Sequence, residues 1–180
     1  MTDIGDQLWQ QTKRNLDEGN FTALEELLDE AGVSIIDLLD TNGASQKYLE
    51  EALTWTCFVG HTDEARTLLD RGVDVSAGTS TGMAPFHWAA NRGQLDVVGL
   101  LIERNAPLEQ KNMYDGTVLN CTLWSAVHEY NDSHAEIIDA LIRAGAEIEK
   151  GTEEWWEEQS VPSDRTKVLV RESLRSRRSD

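Results

Sequence analysis

The chain has 180 residues, 39% of them hydrophobic, and a formal net charge of −17. That length fits one domain, and no apolar run approaches the roughly 20 residues that a membrane-spanning helix needs. So acidic a surface repels phosphate backbones, which excludes nucleic acid as a partner.

Residues Met1–Asp6 are acidic and polar and do not read as a secretory signal. Leu8–Leu16 and Ala23–Leu28 flank Gly19 in the order helix, glycine, helix. Ile35, Ile36, Leu38 and Leu39 predict one more short helical turn within Ser34–Ser45. Residues 1–46 therefore read as a degenerate form of a unit that the next stretch spells out clearly.

Residues 51–75 and 84–108 are two copies of one pattern, 33 residues apart, with Trp55 on Trp88, Gly60 on Gly93 and Leu68 on Leu101. A fixed period of that size predicts stacked units. In the second copy Pro85 suits the first position of a helix, where its missing N–H is harmless. Gly93 supplies the left-handed stop. Leu95, Val98, Leu101 and Ile102 give the second helix one apolar face, with Asp96 in its first turn. An extended finger follows and turns at Asn112–Gly116. Neither helix buries its apolar face alone, so the neighbouring unit must supply the other surface.

The opening recurs at Thr117-Val118-Leu119-Asn120, again 33 residues on, but the closing pattern returns after 40. About seven residues are therefore inserted between Ser125 and Ser133. Either they lengthen the inner helix by about two turns, or Glu129–Ser133 forms a protruding loop. Beyond Lys150-Gly151, Ser163 or Asp164 is placed to cap a helix running to about Arg175, with Val170 and Leu174 on one face. Residues Arg175–Asp180 are expected to fray. Trp155 and Trp156 are adjacent and cannot both face one side of a helix.

These segments resemble the ankyrin repeat. Ala84-Pro85-Phe86-His87 is similar to the family's Thr-Pro-Leu-His opening, with Ala89, Ala90 and Gly93 at its small-residue positions. Leu68-Leu69-Asp70-Arg71-Gly72-Val73 and Leu141-Ile142-Arg143-Ala144-Gly145-Ala146 are similar to its closing. The chain departs from the pattern at Ala84, which lacks a capping hydroxyl, and at Asn105, which stands for glycine but tolerates the left-handed conformation. The resemblance, to small ankyrin repeat proteins of the bacterial type, implies an all-α helix-turn-helix solenoid with short β-hairpin fingers. It would have about four repeats and a C-terminal capping helix in one domain: 1–46, 47–79, 80–112, 113–150 with the insertion, and 151–180 as cap and tail.

Chemistry has little footing. His87 sits in the opening motif, where the resemblance gives it a structural hydrogen bond near the finger. His128, Glu129 and His134 match no standard zinc spacing. Cys57 and Cys121 read as reduced core thiols rather than a disulfide or metal pair. No phosphate loop, nucleophile elbow or zinc-protease motif occurs. No cofactor and no metal are expected.

The resemblance instead implies a non-enzymatic module that binds another protein through the concave face of the stack. Its contact positions fall at the finger residues Ser80, Thr81 and Met83, with Trp88, Asn91 and Arg92 on the following helix. The next unit offers Met113, Tyr114 and Asp115, then Trp124, Ser125 and His128. Trp9, Trp55 and Trp88 fall on inner helices and read either as a tryptophan ladder in the core or as groove lining. The acidic balance favours a basic partner. The alternative is an acidic inhibitor or immunity-type protein that neutralises a basic toxin or nuclease. A cytoplasmic monomer is expected.

Overall fold

The structure is a computed structural model that describes residues 4–77 and 81–176. The units are helix pairs, and the first three pairs are each broken by a left-handed glycine. In the first, α1 (Ile4–Glu18) and α2 (Phe21–Ala31) flank Gly19 at φ 67°. The short α3 (Ile35–Thr41) follows; its N-cap Ser34 accepts a hydrogen bond from Ile36 N–H at 3.0 Å. The pairs α4 (Gln46–Val59) with α5 (Thr62–Asp70) and α6 (Pro85–Asn91) with α7 (Leu95–Glu103) turn at Gly60 and Gly93, both at positive φ. Then come α8 (Val118–His128) and α9 (His134–Ala144), and a closing pair, α10 (Thr152–Glu158) and α11 (Asp164–Ser176).

The α4, α6 and α8 helices pack in one row and α5, α7, α9 and α11 in another. The core lies between the rows. Leu53, Leu68, Ala89, Leu101, Leu119, Ile138 and Leu141 are among its fully buried members. The architecture is an all-α repeat solenoid.

Side chains reach from one unit to the last and fix the stacking. Trp55 Nε1–H donates to Phe21 O at 3.2 Å, and Gln94 Nε2–H donates to Phe58 O at 3.1 Å. Gly60 and Gly93 supply room as well as their φ values. A Cβ at Gly60 would collide with the Gln94 carboxamide, and one at Gly93 with the Asn131 carboxamide. On the outer row Arg71 grips Asp40 with two hydrogen bonds of 2.5 and 3.0 Å, and Arg104 holds Asp70 at 2.6 Å.

Several expectations need correcting. The rings of Trp55 and Trp88 do not share one environment. Trp55 is buried against His61, whereas Trp88 joins Phe21 and Phe58 in an edge-to-face cluster with centroids 5.2–6.1 Å apart. The inserted residues divide between the two alternatives: α8 is 11 residues long against 7 for α6, and the remainder forms the loop before α9. Of the end expected to fray, Arg175 lies within α11 and binds Glu153 at 2.6 Å, while residues 177–180 lie outside the described residues.

No strand forms among the described residues. The finger is a turn held by the Asn112 side chain, whose Oδ1 accepts from Tyr114 N–H at 2.9 Å and Gly116 N–H at 3.0 Å. They reinforce the backbone bonds of the turn, from Asn112 N–H to Gly116 O and from Asp115 N–H to Asn112 O, both at 3.0 Å. Ala84 makes no capping bond, while its counterpart Thr117 accepts from Asn120 N–H at 3.3 Å.

Candidate functional site

Proline at the start of α6 and threonine at the start of α8 fix where these helices begin, and the finger at residues 112–116 leans over both. Between them lies a groove of about 650 Å³. Met83, Trp88, Asn91, Arg92, Tyr114 and Trp124 line it, together with Asn112, Asn120, Cys121 and Glu129. Tyr114 is 78% exposed, Met113 65% and Trp124 48%. Those are large apolar side chains to leave in water on a fixed backbone.

The other expected contact residues have definite places. Thr81 Oγ1 accepts the Trp88 indole N–H at 2.8 Å and so orients that ring. The Arg92 guanidinium lies 4.8 Å above the Phe58 ring. His128 is exposed and stacks on Trp124, centroids 4.6 Å apart. Asp115, at φ 64°, pairs with Lys111 at 2.9 Å on the finger tip. Met113 N–H donates to Gly82 O at 2.9 Å, tying this finger to the one before it.

Ser125 does not belong to the face. It is fully buried, accepting from Asn91 Nδ2–H at 2.6 Å and donating to Cys121 O at 2.9 Å. Because α8 continues a further turn, Ser125 stays inside the helix and packs on α6. Ser80 lies outside the described residues. Asn112, Asn120 and Cys121 were not among the expected contacts. A signal existed for Cys121: a shift of 33 from Trp88 lands on it, so a small thiol replaces an indole and opens the groove.

The titratable groups near the groove are structural. Burial pushes the Cys121 thiol up to about 11, and Asn112 Nδ2–H points at its sulfur from 3.1 Å. Cys57 is buried and its thiol is pushed up as well. Neither supplies a thiolate at neutral pH. His87 is buried, and its Nε2–H donates to Gly116 O at 3.2 Å, joining α6 to the finger. His134 Nε2–H donates to Asn91 O at 2.9 Å, while its Nδ1 accepts from Asn131 N–H at 3.2 Å. One donor and one acceptor require the neutral ring. Among the described residues no group of His, Cys, Asp and Glu is placed to hold a metal ion.

Burial lowers the pKa of both His87 and His134, against the opposing pull of their carbonyl partners. With the folded value below the unfolded value of about 6.5, the unfolded chain binds more protons as the pH falls. Stability is then lost downward from about pH 6.5 until the folded value is passed. Denaturant titrations should show this loss in the parent and a smaller one in the double variant His87→Gln, His134→Gln. Equal losses would mean that carboxylates alone set the acid response.

The repeat geometry has a counterpart in known proteins. A family model described as ankyrin repeats (3 copies) matches residues 15–115. The chain belongs to the ankyrin repeat family. It is 33% identical over 110 residues to palmitoyltransferase AKR1 of Lachancea kluyveri, covering 61% of this chain and 13% of that protein. It is 30% identical over 88 residues to protein fem-1 homolog A-like of Mus musculus, covering 49% and 12%. Ankyrin repeat protein nuc-2 of Neurospora crassa shares 27% identity over 135 residues, covering 75% and 12%. The matched stretches are thus a small part of each relative, and the palmitoyltransferase name belongs to the whole of that longer protein. Ankyrin repeats are generally protein–protein interaction modules and typically non-enzymatic. Among the described residues no helix is long and apolar enough to cross a membrane.

Proposed function

We propose that this chain is a non-enzymatic binding module that holds a protein partner in the groove between α6, α8 and the finger at residues 112–116. The observation that carries this reading is the half-exposed Trp124 beside the exposed Tyr114, on a backbone that the stack keeps rigid. Rigid aromatic side chains anchor interfaces because they bury much area for little lost entropy. The net charge of −17 favours a basic partner and speeds its approach at low salt. An acidic inhibitor of a basic toxin or nuclease is the version of this reading in which the partner is neutralised by being covered. Two reduced thiols suit a reducing compartment such as the cytoplasm, and the module acts as a monomer.

Affinity capture from native lysate at low and high salt tests the proposal. The double variant Tyr114→Ala, Trp124→Ala is expected to lose the proteins that the parent retains, while its thermal unfolding remains cooperative. Because the two side chains are exposed, their loss costs little stability. Unchanged capture by the double variant would overturn this groove as the binding face.

A further inference from the structure

The inner face does not end at Trp124. A second groove of about 430 Å³ lies beyond it, lined by Asn120, Leu123 and Trp124 of α8 and by Glu149, Thr152 and Trp155 of the C-terminal segment. Lys150 and Gly151 complete it. Its origin is a single substitution in the repeat pattern. In the preceding unit His87 fills the joint between inner helix and finger by reaching Gly116 O. The position 33 residues on is Asn120, a shorter side chain. Among the described residues its carboxamide has no hydrogen-bond partner, and the joint stays open as the second groove.

Two further polar groups are unspent there. The buried Trp55 and Trp156 both donate their indole N–H to carbonyls, at 3.2 Å each. Among the described residues the indole N–H groups of Trp124 and Trp155 have no such acceptor. An indole N–H takes a partner when it is covered. One carboxamide and two indole donors on the lining of one groove can pair with the C=O and N–H groups of a polypeptide backbone. Charge adds direction. In the first groove Glu129 accepts only one hydrogen bond, from Asn91 Nδ2–H at 3.3 Å, and forms no ion pair among the described residues. The Arg92 guanidinium on the same wall is engaged with the Phe58 ring.

We propose that the partner presents an extended polypeptide segment that runs from the first groove over Trp124 into the second, with a Lys or Arg side chain against Glu129 and its backbone read by Asn120, Trp124 and Trp155. This rests on the reading of the first groove as the binding face. It adds a second subsite, built by the C-terminal cap and not by the repeats, and it commits to a basic, extended occupant rather than a folded surface.

The test is selection of a displayed random dodecapeptide library on the whole chain. Enriched peptides are then titrated into protein with labelled tryptophan indoles. Selected sequences should carry Lys or Arg. The indole N–H resonances of Trp88, Trp124 and Trp155 should shift together while those of Trp55 and Trp156 stay in place. Asn120→Ala and Trp155→Ala should each weaken the peptides by about tenfold, and shortening them to hexapeptides should remove the Trp155 shift first. Asn120 has no internal partner, so its variant keeps the fold even if Trp155→Ala loosens α10. Peptides that move Trp88 and Trp124, leave Trp155 still and bind Asn120→Ala at parental strength would overturn the second subsite and leave the first groove intact. Enrichment of acidic peptides would overturn the charge assignment. Failure to select any peptide that moves Trp88 or Trp124 would overturn the extended occupant, while the first groove as a face for a folded partner stands or falls on the capture experiment.

Discussion

Replacing Trp55 with alanine is expected to lower stability by about 3–5 kcal/mol, the largest loss from any single truncation in the N-terminal half. Trp55 is nearly fully buried, and its indole N–H donates to the Phe21 carbonyl at the start of α2, tying α4 to the unit before it. The variant loses the ring's packing and the hydrogen bond that ties α4 to α2. Against a total stability of about 5–15 kcal/mol, such a loss lowers the melting temperature by roughly 6–20 °C. In a solenoid the damage is also local, since each unit contacts chiefly the units near it. Hydrogen exchange should therefore show α1 and α2 opening before α8 and α9. A drop under about 1 kcal/mol in urea titration would show that this junction is not part of the core.

The second large effect lies at the other end. Trp156→Ala is expected to cost a similar amount, about 3–5 kcal/mol, but to spend it on the closing pair. Trp156 is fully buried, and its indole N–H donates to Lys167 O, while the Lys167 ammonium caps α10 through the carbonyls of Gln159, at 2.7 Å, and Trp156. Arg171 adds an ion pair to Glu157. Removing the ring frees α10 from α11. The α11 helix keeps its own seat on α9 through Val170, Leu174 and the bond from Ser173 Oγ–H to Asp139 at 2.9 Å, so it loosens rather than departs. Amide protection should fall in α10 and α11 and stay unchanged in α4 to α7. A uniform loss of protection along the chain would contradict this.

Much of the fold was legible because its signals are local. Pro85 at a helix start, glycine at 60, 93 and 145, and Thr117 as a capping hydroxyl each act within one turn of chain. Asn105 adopts φ 56°, as its side chain permits in place of glycine. What the sequence concealed depends on how far helices run and on what lies across from them. Ser125 stands 33 residues after Arg92, which ends α6 beside the groove. The extra turn of α8 keeps Ser125 inside a helix and turns it towards Asn91. The finger reads as extended from composition, but it closes as a tight turn in which the Asn112 carboxamide joins two backbone bonds. Asn120 and Trp155 are 35 residues apart and share no repeat register, so nothing in the spacing announces that they face one groove.

The polar ties between successive units join residues that are close in the order of synthesis. Trp55 reaches back 34 residues to Phe21, Gln94 reaches back 36 to Phe58, and His134 reaches back 43 to Asn91. A growing polypeptide can therefore lock each helix pair soon after the following one has left the ribosome. The N-terminal half need not hold its greasy surfaces open while the far end is made, and short-range closure of this kind favours rapid folding.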